Sequence, residues 1–138
     1  MSSETVKLEI ALRAHLIAEV AVGARVYPDI LPQNPTYPAI TYQQILSNSH
    51  HDIDIDFPRY QVTAWAETRR AAINLADEID KALTRYKGHM GTAPNQVAIK
   101  QIGKEPSPGV LFDREAGADG VYYVPQDFKI IFYRKKGV

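Results

Sequence analysis

One strongly amphipathic helix, set between segments of alternating polarity, constrains this chain most. In the segment after Thr68, apolar side chains recur at spacings of three and four, and the charged residues lie mostly on the opposite side. The apolar positions are Ala72, Leu75, Ala76, Ile79, Leu83 and Tyr86. Such a helix must bury one face, Thr68 is a suitable N-cap, and Gly88 ends the pattern. The alternating segments 59–66 and 122–133 predict strands that have one buried face.

The remaining pattern predicts a first helix over residues 4–22, which ends at Gly23, and strands at 25–27, 39–46 and 97–102. Polar or proline-rich stretches are predicted as connections. They are residues 25–37, which include the short strand 25–27, and residues 47–56, 88–96 and 104–120. This order predicts an α+β fold, with two helices packed on one face of a mostly antiparallel sheet of four to five strands. The length fits a single domain over residues 1–138, with a basic tail at about 134–138.

Apolar residues on two sides of the first helix predict that it is well covered. Leu8, Leu12, Leu16 and Val20 form one row, and Val6, Ile10 and Ile17 lie on another side. A helix that is apolar around most of its circumference is typically buried. His15 lies near the first row, so we interpret it as a helix-packing residue.

Composition excludes several classes of function. The 16 basic residues balance the 16 acidic ones, which argues against a dedicated nucleic-acid binder and a polybasic membrane anchor. No cysteine is present, so disulfides, thiol nucleophiles and thiolate zinc sites are excluded. No apolar run reaches the roughly 20 residues that a bilayer requires. The start of the chain does not match a signal peptide, so we expect synthesis in the cytoplasm.

A histidine–aspartate cluster is the strongest candidate for chemistry. It consists of His50, His51, Asp52, Asp54 and Asp56. In an extended chain the three carboxylates project to one side, which suits Mg²⁺ or Ca²⁺ and leaves a small metal-dependent enzyme as one hypothesis. The favoured interpretation is a solvated connection whose charges protect an exposed sheet edge. Neither a nucleophile elbow nor a phosphate-binding loop is present, so we predict no catalytic residue and no cofactor.

Four places in the chain together resemble the tail terminator or tail-completion proteins of long-tailed bacteriophages. The first is the pair of segments 22–28 and 37–43, and the second is strand 59–66 followed directly by the helix from Glu67. The third is Phe112-Asp113 in the late connection, and the fourth is the ending 122–133. The similarity extends over nearly the whole chain.

This resemblance implies a structural role without catalysis or cofactor. Members of the family have an α+β fold and assemble as a ring, typically a hexamer, on the last ring of tail-tube subunits. The ring stops tube growth and presents a surface to the head connector. The partners expected from the resemblance are further copies of this chain, the major tail tube protein and a head-tail connector or neck protein, without nucleic-acid specificity or a membrane. The expected location is the head-proximal end of the virion tail, after assembly in the host cytoplasm.

A ring subunit needs two different lateral surfaces and two axial faces. Candidate contact residues lie in the long connections and at the basic end: His50, His51, Asp52, Asp54, Asp56, Phe112, Asp113, Arg114, Arg134 and Lys135. The acidic run and the basic end either meet across a subunit boundary or are solvated independently. A head-side neck protein and a cytosolic small-ligand module remain as alternative functions.

Overall fold

The computed structural model describes residues 4–49, 53–114 and 120–134, which contain two helices and eight strands. The helices are α1 (Glu4–Glu19) and α2 (Arg69–Leu83). The strands are β1 (Val26–Pro28), β2 (Ala39–Leu46), β3 (Ile55–Asp56), β4 (Arg59–Ala66), β5 (Gly88–Met90), β6 (Val97–Glu105), β7 (Leu111–Asp113) and β8 (Val121–Tyr133). They form one mixed, curled sheet in the order β1-β2-β4-β8-β6-β5, and β3 and β7 also pair with β8.

The long strand β8 organises the sheet. Strands β4 and β6 flank it on opposite sides and run antiparallel to it. Strand β3 continues the register of β4 along β8, and the interruption falls at Pro58, whose carbonyl still accepts a hydrogen bond from Ile130 N–H at 3.0 Å. Strand β7 pairs with the first residues of β8. At about 3.3 Å per residue, β8 spans roughly 40 Å and sets the long dimension of the subunit.

Helix α2 packs on β4 and β8, as its amphipathic pattern predicts. Its five core-facing residues are Ala72, Leu75, Ala76, Ile79 and Leu83, and all are buried. The side chain of Thr68 accepts a hydrogen bond from Ala71 N–H at 3.2 Å, which confirms the predicted N-cap. On the facing sheet surface, Tyr60 and Phe128 are fully buried.

Helix α1 contacts both β1 and β5, the outermost strands of the main order. Leu8, Leu12 and Leu16 are fully buried beneath it. The His15 Nε2 atom lies 2.8 Å from the Ala82 carbonyl oxygen, and its ring meets Tyr86 edge-on at 4.8 Å between centroids. His15 therefore joins the two helices, which confirms its predicted packing role.

The sheet differs from the prediction in strand number and direction. It has eight strands within the described residues, not four to five, and β1 runs parallel to β2. Strands β3, β5 and β7 lie in segments predicted as connections. Each has only two or three residues, which is too short for an alternating pattern to be recognised. In the described part of the chain, no helix is long and apolar enough to cross a membrane.

Two smaller predictions were also wrong. Helix α1 ends at Glu19, three residues earlier than expected, and a turn leads to Gly23, whose φ is +59°. The described residues cover its second apolar side only in part: Ile17 packs against the core, but Val6 and Ile10 are 47% and 45% exposed. Their helical spacing shows that they are apolar neighbours but does not show what packs on them.

Candidate interaction surfaces

The predicted contact residues fall into two groups at opposite ends of β8. Asp54, Asp56 and Arg134 lie where β3 pairs with the last residues of β8. Phe112, Asp113 and Arg114 lie at β7, which pairs with its first residues, and we call residues 111–114 the β7 end. The structure therefore separates these two groups by the length of the strand. The other candidates, His50, His51, Asp52 and Lys135, lie outside the described residues.

Exposed aliphatic residues lie in the segments next to the first group, at the end of β2 and just before β3. They are Ile45, Leu46 and Ile53, and together with Asp54, Asp56 and Arg134 they make up what we call the β3 end. Regular strand alternation would place Leu46 on the same side as the buried Ile40 and Tyr42. A register shift between Gln44 and Leu46 changes the direction of the last residues of β2, so Leu46 is exposed instead. Exposed apolar groups of this kind commonly mark contact sites for other proteins.

The acidic run and the basic end meet within one chain. The Arg134 Nε atom lies 3.1 Å from Asp56 Oδ1, in an ion pair without hydrogen-bond geometry. The Arg134 guanidinium also donates to the Ile53 carbonyl at 3.0 Å, and its backbone N–H donates to the Asp54 carbonyl at 2.8 Å. Ser49 Oγ donates to the same Asp56 oxygen at 2.7 Å. Asp56 and Arg134 are therefore not solvated independently, because they form an ion pair within one subunit.

We expect the Asp56–Arg134 pair to show measurable coupling. Asp56→Ala and Arg134→Ala each remove the same contact, so the double variant should lose less stability than the sum of the two single losses. The expected coupling is about 0.5–1 kcal/mol, because both side chains retain some exposure. Urea denaturation measures it. The control cycle combines Ser49→Ala with Arg134→Ala, which leaves the Asp56 carboxylate in place. Strictly additive stability losses for Asp56→Ala and Arg134→Ala would contradict the ion pair.

The β7 end presents apolar and aromatic side chains. Leu111 and Phe112 are both exposed, and the Phe112 ring packs against Tyr122 at 4.7 Å between centroids. Gly120 permits this packing, since a Cβ built there would lie 2.6 Å from the Phe112 ring and its φ is +82°. The β7 hairpin thus holds Phe112 in a fixed position at the surface.

A row of residues that are neighbours across adjacent strands extends from the β7 end over the sheet face that the helices do not cover. Register places Leu111, Tyr123, Trp65 and Ala39 opposite one another on β7, β8, β4 and β2. Tyr123 stacks on Trp65 at 4.7 Å, and Trp65 Nε1 donates to Thr41 Oγ1 at 2.9 Å. The indole and phenol groups are half-buried, which is typical of aromatic residues that take part in protein contacts.

The proline-rich connection between β1 and β2, which contains Tyr37, also lies near the β7 end. Burial raises the pKa of the Tyr37 hydroxyl, and the negative charges of Asp113 and Glu67 raise it further. Tyr37 belongs to the segment 37–43 that carries part of the family resemblance. The structure therefore brings two separate parts of that resemblance, Tyr37 and Phe112-Asp113, into one neighbourhood.

The metal hypothesis receives no support from the residues that the structure describes. Among them, no group of three or more histidine, aspartate or glutamate side chains is placed to hold a metal ion. Asp56 is held by Arg134 and Ser49. The remaining ligand candidates, His50, His51 and Asp52, lie outside the described residues.

A charge-balanced α+β subunit with exposed apolar surfaces at both ends of its longest strand has the properties of a protein that assembles with other proteins. The family model for tail completion protein gp17 matches residues 10–96, which is more than half of the sequence. The chain therefore belongs to the tail completion protein gp17 family, which confirms the resemblance found in the sequence. Its role is structural, in the phage tail or in head-tail joining.

Among solved structures, the fold is similar to a chain in the virion of a native gene transfer agent (GTA) particle. The TM-score is 0.54 at 14% sequence identity, and the match covers 95% of this chain and 92% of that chain. At this identity the similarity concerns the fold alone. No curated protein matches the sequence.

Proposed function

We propose that copies of this chain form a ring, with six subunits, that caps the tail tube at its head-proximal end. The ring ends tube polymerisation and presents the surface to which the head connector or neck protein binds. The observation that carries this proposal is the separation of the β3 end and the β7 end along β8. A subunit with separated surfaces can contact a neighbouring copy and an axial partner at the same time.

The β3 end is suited to the axial partner. Its charged groups Asp56 and Arg134 are paired with each other, so a partner that docks there does not bury either charge without its counter-ion. The apolar side chains Ile45, Leu46 and Ile53 remain exposed beside them. Burying such side chains contributes about 25 cal/mol per Å² of apolar surface. We assign this surface to the last ring of the tail tube.

Polymerisation of purified tail-tube subunits tests the proposal. Added wild-type protein should shorten the tubes seen by electron microscopy, because capped ends cannot grow. The Leu46→Asp/Ile53→Asp variant should lose this effect, since a carboxylate would be buried against the tube. Ile30→Asp is the matched control, because Ile30 is 78% exposed and lies outside the β3 end. Unchanged tube lengths with wild-type protein would contradict capping.

A further inference from the structure

Strand β2 extends beyond the strand that pairs with its outer edge. Strand β1 pairs with residues 40–42 of β2, and Asp29 N–H then donates to the Tyr42 carbonyl at 2.8 Å. Asp29 has a φ of +64°, and the chain turns away from β2 there. On the other side of β2, the pairing with β4 continues to Leu46. Residues 43–47 therefore have an outer side that no strand of the described chain pairs with, and we call it the open edge of β2.

Backbone groups of Gln44 point to this open edge. Ile40 N–H donates to the Arg25 carbonyl on the outer side of β2, and the Tyr42 carbonyl accepts on the same side. Because the direction of the backbone groups alternates along a strand, the N–H and the carbonyl of Gln44 also point outwards. Within the part of the chain that the structure describes, neither group has a hydrogen-bond partner.

Ser47 presents its backbone groups to the same edge. Leu46 pairs with Arg59 on the inner side, and the Asn48 carbonyl accepts from Phe57 N–H at 2.9 Å, also on the inner side. Alternation then directs the N–H and the carbonyl of Ser47 outwards. The open edge thus offers backbone donors and acceptors at two positions, which are those that an added strand would need.

The sequence does not protect this edge against pairing. Residues 43–49 contain no charged residue and no proline. Edge strands usually carry such residues, because unpaired backbone groups bind other strands. They are present at other outer strands of this sheet, as Pro28 in β1 and as Lys104 and Pro106 at the end of β6. The open edge of β2 has instead the composition of a strand that is covered in an assembly.

An apolar groove lies beside the open edge, on the sheet face that carries the helices. Its volume is about 510 Å³, and Tyr42 and the exposed Ile10 of α1 line it. Glu9 also lines the groove, and its carboxylate accepts a hydrogen bond from the Tyr60 hydroxyl at 2.9 Å. Since Tyr60 is the register partner of Gln44, the groove reaches the level of the open edge. A strand added to this edge would direct every second side chain towards the groove.

A second copy of this chain does not offer a matching strand among the described residues. The outer edges of β1, β5 and β6 each contain a carbonyl that already accepts a hydrogen bond within the subunit; these are the carbonyls of Val26, His89 and Ile102. Strands β3 and β7 have only two and three residues. The open edge also includes Ile45 and Leu46, which belong to the β3 end. Its occupant therefore belongs to the partner that docks on the β3 end.

We propose that an extended segment of the tail-tube subunit adds to the open edge of β2 as a further strand, in line with β1. This inference rests on the proposed cap and names how the β3 end holds the tube. Hydrogen bonds to the backbone of Gln44 and Ser47 supply affinity, and side chains at alternate positions supply specificity. The matching segment has apolar side chains at every second position, which pack in the groove beside Ile10.

Proline substitution tests strand addition. A proline is tolerated on an edge strand where the N–H faces away from the sheet, so Gln44→Pro breaks no hydrogen bond inside the subunit. In the tube polymerisation assay, the protein concentration that halves the mean tube length should rise about 10-fold or more, because the partner's acceptor is buried without its donor. Gln44→Ala is the matched control. It removes the same side chain but keeps the N–H, so this concentration should change by less than about twofold.

Ser47→Pro and Ser47→Ala form a second pair of variants with the same expected difference. Melting temperatures and circular dichroism check that each variant is folded, and the second pair carries the test if Gln44→Pro does not fold. Size-exclusion chromatography without tubes shows whether the substitutions act on self-association instead.

The possible outcomes separate this inference from the proposed function. If wild-type protein and both proline variants shorten tubes equally, strand addition is overturned and the proposed function stands. Equal losses for the proline and alanine variants would also overturn strand addition, because the side chains would then make the contact. Loss of self-association in the proline variants without tubes would assign the edge to a second copy and overturn the tube segment as its occupant. Wild-type protein without any effect on tube length contradicts the proposed function itself.

Discussion

Phe128→Ala is expected to lower the free energy of unfolding by about 3–5 kcal/mol. Phe128 is fully buried near the middle of β8, where the strand pairs with Tyr60 on one side and with Lys104 on the other. Removing its ring leaves a cavity beneath the helices that the surrounding sheet cannot close. Domains of this size are typically stable by about 5–15 kcal/mol, so the loss is a large share of the total. Urea denaturation followed by circular dichroism measures it.

Phe112→Ala is the matched control for this prediction. The same ring is removed, but Phe112 is 44% exposed and packs mainly on Tyr122. Its expected cost is about 1 kcal/mol or less. Equal losses for the two variants would contradict the placement of Phe128 in the core and of Phe112 at the surface.

Gly91→Ala is expected to be the most damaging substitution outside the apolar core. Gly91 follows β5 and has a φ of +84°, and an added Cβ would lie 2.7 Å from Ala11 Cβ and 2.9 Å from the Asn95 carbonyl oxygen. The backbone conformation costs a side chain about 1–2 kcal/mol, and the overlap adds about 1–3 kcal/mol. We therefore expect a lower melting temperature and a weaker contact between α1 and β5.

Two further variants separate the causes of this loss. Gly23 has a φ of +59° with nothing within 4 Å of an added Cβ, so Gly23→Ala reports the backbone cost alone. Adding Ala11→Gly to Gly91→Ala removes the nearest clashing atom and should recover part of the stability. If Gly23→Ala and Gly91→Ala cost the same, α1 does not approach β5 as closely as the structure shows.

The long elements of the fold were predictable from sequence because each carries several repeats of its pattern. Strands Ala39–Leu46 and Arg59–Ala66 have the predicted bounds. Helix α2 has its predicted N-cap and its predicted core face as far as Leu83, where it ends, so Tyr86 lies beyond the helix and the predicted end at Gly88 was wrong. Strand β7 was missed because three residues show no periodicity. It forms because β6 pairs only with residues 127–133 of β8, so the backbone groups on that edge of residues 121–123 are left to pair with β7.

The candidate surfaces were predictable in composition but not in arrangement. Charge alone identified Asp56 and Arg134, but their pairing depends on the register of β3 against β8, which sequence does not specify. The spacing of Val6 and Ile10 showed a second apolar side on α1. It could not distinguish a side covered by the same chain from one left for another molecule. The roles of the candidate residues in assembly remain predictions.

The central claim is that this chain caps the tail tube. Electron microscopy of the particles produced by the genome that encodes this chain, after deletion of its gene, tests this claim most directly. Supplying the wild-type chain in trans is the control and should restore normal particles. We predict tails of uncontrolled length that do not join heads. Normal-length tails beside unjoined heads would move the protein to the head-side neck, and intact particles with joined tails of normal length would contradict an assembly role.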